Sequence, residues 1–160
     1  MKQVTVAIIG AGSRGLNAYA PYALKHPELM KIVAVAEPDP VRRQTAVERF
    51  GIPAENVFED YQTFITEPKM ADAVIIATQD AMHLEPAVAC AELGYDILLE
   101  KPMAVSAEDC RTICDAVNKA GVIFGVGFVL RYTPYFRKLR ELIHSGRLVE
   151  LAEEAVGELA

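Results

Sequence analysis

Val4-Thr5-Val6-Ala7-Ile8-Ile9-Gly10-Ala11-Gly12-Ser13-Arg14-Gly15 is the stretch that decides the fold of this chain. Val4 to Ile9 is almost wholly apolar and largely β-branched, as in a strand buried on both faces. Gly10 to Gly15 then reads G-x-G-x-x-G and leads into a helical stretch from about Arg14 to Lys25, which Pro21 should disturb or restart. Alone the glycine pattern is weak. Between a buried strand and a helix it is a candidate dinucleotide-binding turn. Gly10 permits the tight turn, Gly12 lets backbone approach a pyrophosphate, and Gly15 brings the helix close to the strand. The helix start, with Ser13 and Arg14 in the loop, offers unpaired N–H groups and a positive dipole end to the phosphates. A glycine-rich turn without a ligand is the competing reading, and the agreement of strand, loop and helix argues against it.

The same alternation continues outward. Apolar runs predict strands over Lys31–Glu37, Val57–Phe58, Asp72–Thr78, Asp96–Glu100 and Val122–Val126. Asp39-Pro40 starts a helix that stops at Gly51. A second opens near His83 and ends at Gly94. Ser106 with Asp109 forms a capping pattern for a third, ending at Gly121. Thr133-Pro134 starts a fourth, ending at Gly146. Continuous apolar strands alternating with helices predict an α/β fold, a doubly wound, mostly parallel sheet of the Rossmann kind. Residues 1–146 read as one domain. Residues 147–160 read as a tail, with Leu148, Leu151, Ala152, Ala155 and Leu159 at the spacing of a short amphipathic helix.

Composition sets the outer limits. A chain of 160 residues suits a single domain, and 52% apolar with 24% charged residues excludes a disordered or low-complexity protein. No apolar run approaches the roughly 20 residues of a membrane span, and the N-terminus carries no signal-peptide pattern. A net charge of -6 argues against nucleic acid as a partner. Arg137-Lys138-Leu139-Arg140 is the basic exception and reads as a solvated helix face. The sparse, odd set Cys90, Cys110 and Cys114 predicts reduced thiols in a cytoplasmic protein, small core residues rather than a metal site.

Glu37 ends the second strand, where an acid accepts hydrogen bonds from ribose hydroxyls and repels a 2′-phosphate. That favours NAD, with NADP as the alternative if Arg14, Arg42 or Arg43 lies near the ribose. Surface helix charge is the preferred reading of the arginines. An S-adenosylmethionine methyltransferase shares the glycine loop and the strand-end acid, but does not call for the second half of this sequence. There, Thr78-Gln79-Asp80-Ala81-Met82-His83, Glu100-Lys101-Pro102 and Arg131-Tyr132-Thr133-Pro134 each follow a predicted strand. Ligands bind beyond the carboxyl ends of parallel strands. Each piece has a plain reading as helix-start polar residue, surface lysine or surface arginine, but their shared edge favours one site.

GAGSRG, Glu37, Thr78 to His83, Glu100-Lys101-Pro102 and Arg131 with Pro134 together resemble the N-terminal half of the Gfo/Idh/MocA oxidoreductases, from about Val4 to Leu148. Glu-Lys-Pro at a strand end is the most distinctive mark of that family. The resemblance implies NAD or NADP, and reversible oxidation of a sugar, inositol or related polyol. It implies that Lys101 orients the reacting hydroxyl and assists its proton transfer. Pro102 would fix the loop through a cis peptide bond. Glu100 would hold the lysine side or approach the nicotinamide ribose. Thr78 and His83 would line the nicotinamide half of the site. Asp80 stands where asparagine is commoner, and Arg131 would approach cofactor or substrate.

The family also implies a second α/β domain on a large antiparallel sheet, and these residues do not supply it. The chain alone is therefore expected to be catalytically incomplete: the cofactor-binding part of an oxidoreductase, or a module that holds NAD without turnover. The face left by the second domain is expected to meet the tail helix or a second copy, giving a homo-oligomer. A scaffold indifferent to nucleotides is the third reading.

Overall fold

The structure is a computed structural model that describes residues 2–147 and 150. The chain divides into two compact units, one of Met1–Gly127 and one beginning at Phe128. The division between them falls directly after the last strand. Each unit is described by itself.

The first unit carries six strands: β1 (Val4–Ile9), β2 (Met30–Ala36), β3 (Val57–Phe58), β4 (Ala73–Ile76), β5 (Asp96–Leu99) and β6 (Phe124–Val126). Their order is β3-β2-β1-β4-β5-β6, and every pair is parallel. The chain works outward from β1 on one side, then crosses to β4 on the other. The carboxyl ends of β1 and β4 therefore flank the switch point, where a doubly wound sheet opens a crevice.

Both faces are covered. Ala7, Ile9, Ala36, Val74, Ile76 and Leu99 point to one face and pack with α3 (Tyr61–Phe64), α4 (Leu84–Glu92) and α5 (Ala107–Ala120). Val6, Ile8, Ile32, Val35 and Ile75 point to the other, against Leu16, Ala23 of α1 (Pro21–Lys25) and Ala46 of α2 (Pro40–Phe50). The sides do not alternate evenly along β2. Val6 pairs with Ile32 but Ala7 pairs with Ala34, so Val33 is an inserted residue. This bulge lets Ile32 and Val35, three apart, share a face.

Asp39 caps α2 by accepting from the Val41 and Arg42 N–H groups. Ser106 caps α5 by accepting from the Asp109 N–H at 3.0 Å. On α5 the buried residues are Ile113 and Val117. Cys110 is only half-buried and Cys114 is exposed, so of the three cysteines only Cys90 is a core residue. The predicted face was one position off, because the helix turns its Ile-Val stripe inward in preference to its thiols.

The helix after β1 does restart at Pro21. Ser13–Tyr19 is a π-helical segment in which the Ala20 N–H reaches back to the Gly15 carbonyl at 3.0 Å. The Leu16 carbonyl is left over: its α-helical donor is Ala20 and its π-helical donor would be Pro21, which has no N–H. The Arg49 guanidinium fills the gap, donating to the Leu16 oxygen at 2.9 Å from the last turn of α2.

The second unit holds a 3-10 turn, Val129–Tyr132, and α6 (Pro134–His144). Thr133 begins α6, but its hydroxyl donates to the Leu130 carbonyl and makes no cap. Arg137, Lys138 and Arg140 are exposed, as expected of a solvated face. The predicted tail helix over 147–160 lies outside the described residues apart from Arg147 and Glu150. No helix among the described residues is long and apolar enough to cross a membrane.

Candidate cofactor and active site

The glycine turn is built from steric necessity. Gly10 has a φ of 92°, and a Cβ there would lie 2.6 Å from the Ala77 carbonyl oxygen. A Cβ on Gly15 would overlap the Gly10 carbonyl and stand 3.1 Å from Ile8 Cγ2. These two glycines bring β1, β4 and the first helix together. Gly12 differs: a Cβ there meets nothing nearer than the Arg42 guanidinium at 4.0 Å. Its absence leaves open space on the ligand side without relieving a clash in the protein.

A groove of about 280 Å³ lies along this turn, lined among others by Gly10, Gly12, Glu37, Arg42, Thr78 and Met82. It collects the carboxyl ends of β1, β2 and β4. Glu37 is 4% exposed. Its Oε2 accepts from the Ala11 N–H at 2.6 Å and its Oε1 from the Asp39 N–H at 3.0 Å. The carboxylate therefore braces the glycine turn, and each oxygen keeps a lone pair for a further donor. Arg42, read from sequence as surface charge, lines the groove instead. Arg43 is tied to the chain beside it, donating to the Glu37 and Pro38 carbonyls at 2.6 and 3.1 Å.

Replacing Glu37 with alanine should have two effects. The buried Ala11 N–H loses its partner, at a cost of about 1–3 kcal/mol in stability. With Glu37 expected at the ribose, loss of its negative charge should also lower NAD affinity and narrow its margin over NADP. Calorimetric titration with both nucleotides checks this, and an unchanged margin would remove the ribose role.

The next strand along carries the second constellation. Lys101, exposed, follows β5 and is held from both sides. Before it, Glu100 Oε2 accepts from the Lys101 N–H at 2.8 Å. After it, the Pro102 carbonyl accepts from His83 Nδ1 at 2.8 Å. The Lys101-Pro102 peptide bond is cis. His83 is fully buried and supports the lysine loop through its bond to the Pro102 carbonyl. Asp80, in the 3-10 turn Asp80–Met82, is exposed and outside the groove lining, whereas its neighbours Gln79 and Met82 belong to it. Thr78 lines the groove, its hydroxyl donating to the Met82 carbonyl at 3.4 Å. Ser13 is exposed at the start of the π segment, and Arg14 Nε stands 3.6 Å from Glu100 Oε1. Arg131 lies in the second unit, over the Phe128 ring at 5.3 Å.

Residues 4–128 match the model of the Gfo/Idh/MocA family, described as an oxidoreductase family with an NAD-binding Rossmann fold. The chain belongs to that family. Gfo/Idh/MocA relatives agree along most of its length. It is 34% identical to a 2,7-anhydro-N-acetylneuraminate hydratase of Mediterraneibacter gnavus, over 91% of this chain and 37% of that protein. It is 31% identical to the NAD(+)-dependent scyllo-inositol 2-dehydrogenase of Bacillus subtilis, over 91% of this chain and 42% of that protein. Among solved structures, the WlbA dehydrogenase of Chromobacterium violaceum, in complex with NADH and UDP-GlcNAcA, superposes with a TM-score of 0.81. The two are 25% identical, with 92% of this chain and 41% of that one covered. The chain thus spans about two fifths of the relatives it matches. The groove fits the family's cofactor: open space at Gly12, a braced acid at the β2 end and an arginine beside both.

Proposed function

We propose that this chain is the cofactor-binding part of an oxidoreductase that moves hydride between nicotinamide and a hydroxyl-bearing carbon of a sugar, inositol or related polyol. The observation that carries the reading is Lys101, exposed at the end of β5 and fixed on both sides by buried groups, one strand from the switch-point groove. NAD, when bound, supplies the hydride acceptor. The chain's own residues do the rest. The glycine turn binds pyrophosphate, Glu37 takes the adenosine ribose, and Lys101 Nζ orients the substrate hydroxyl and assists its proton transfer. Nicotinamide absorbance over a panel of sugars and polyols tests this, using the chain together with a substrate domain. Turnover that Lys101→Ala lowers by roughly 10²–10⁴-fold at unchanged NAD affinity is the expected result. Tight NAD binding with no turnover would favour the alternative, a cofactor-holding module. The same reading makes a small hydroxylated molecule the partner, rather than nucleic acid or a membrane. It places the protein in the cytoplasm and has copies associate through an apolar face.

A further inference from the structure

Tyr19, the last residue of the π segment, donates from its hydroxyl to Glu100 Oε1 at 2.6 Å. The other oxygen of that carboxylate holds the Lys101 N–H at 2.8 Å. Glu100 is 5% exposed, so its orientation is set by these partners and by Arg14. Room for the contact is specific. A Cβ on Gly127 would lie 2.6 Å from the Tyr19 hydroxyl and 3.6 Å from Glu100 Cδ. The phenol also stays a donor at any working pH. Burial first, then the bond to Glu100, pushes its pKa up to about 12.

We propose that Tyr19 is a positioning residue, fixing Glu100 so that the main chain of Lys101 is held in place and its amine aimed at the substrate hydroxyl. The inference rests on the role given to Lys101 above. It ties the helix that follows the glycine turn to the loop that carries the lysine. A phenol–carboxylate bond is charge-assisted, and its loss frees the buried carboxylate to turn away from the Lys101 N–H. Tyr19→Phe removes that bond and keeps the ring.

The test is amide hydrogen exchange and proton–nitrogen correlation spectra on this chain, with and without Tyr19→Phe, beside NAD titration. Protection of the Lys101 amide should fall by about tenfold, as for a lost hydrogen bond to a charged group. Its resonance should lose the downfield displacement that a carboxylate acceptor imposes. Core amides such as Ile8 should keep their protection, and NAD affinity should hold. Gly127→Ala, which crowds the phenol without removing it, should reproduce the local loss. An unchanged Lys101 amide in Tyr19→Phe overturns the proposal while leaving the NAD reading intact. Loss of protection spread evenly over the core in both variants also overturns it, in favour of a packing role. Absence of NAD binding in the parent chain would instead defeat the functional reading, whatever the Lys101 amide does.

Discussion

Gly12→Val should weaken NAD binding by roughly a hundredfold or more while leaving the fold intact. Gly12 has an extended backbone with φ at -75°, which valine adopts without strain, and a Cβ there points into open space. The nearest protein atom to that Cβ belongs to the flexible Arg42 side chain, at 4.0 Å. The space the valine takes is the approach that a pyrophosphate needs to reach the backbone N–H groups of the turn. Loss of one or two hydrogen bonds to a charged ligand costs about 3 kcal/mol, so affinity should fall by roughly a hundredfold or more. Calorimetric titration reads the affinity and thermal unfolding reads the fold. A variant that binds NAD like the parent would remove the glycine turn from the site.

Gly10→Ala should do the opposite damage. Its φ of 92° lies where an L side chain is strained, and the new Cβ would press on the carbonyl oxygen and carbon of Ala77 at 2.6 and 2.7 Å. Both are backbone atoms at the end of β4, so no rotamer change relieves the contact. The conformational cost of about 1–2 kcal/mol and the overlap together should destabilise by ~3 kcal/mol or more. That is a large part of the ~5–15 kcal/mol that holds a typical domain together. Urea unfolding checks it through the midpoint at constant slope. An unshifted midpoint would mean that β1 and β4 do not approach as closely as described.

The sheet was legible in the chain because a strand buried on both faces needs an unbroken apolar run, and each run ends where a polar residue enters the crevice. Glu37, Thr78 and Lys101 could be placed for that reason. Partners could not. Nothing local to Arg42 separates a groove residue from a solvated helix arginine, since the distinction depends on where α2 lies against the glycine turn. The bulge at Val33 was equally hidden, because Lys31 to Ala36 is apolar enough to pair in either register. The different surroundings of His83 and Asp80 were hidden by the same limit. Both follow β4, yet one turns under the Pro102 loop and the other into solvent. Tyr19 carried no signal, as its partner Glu100 lies far along the sequence.

A turn closed from residue i to i+5 holds one residue more than a turn closed from i to i+4. Relatives whose first helix is regular throughout should align with this chain only through a one-residue gap within Ser13–Tyr19. An ungapped alignment would match the glycines correctly and then set Tyr19 against the wrong neighbour. A family profile read without that gap would record the Tyr19 position as variable.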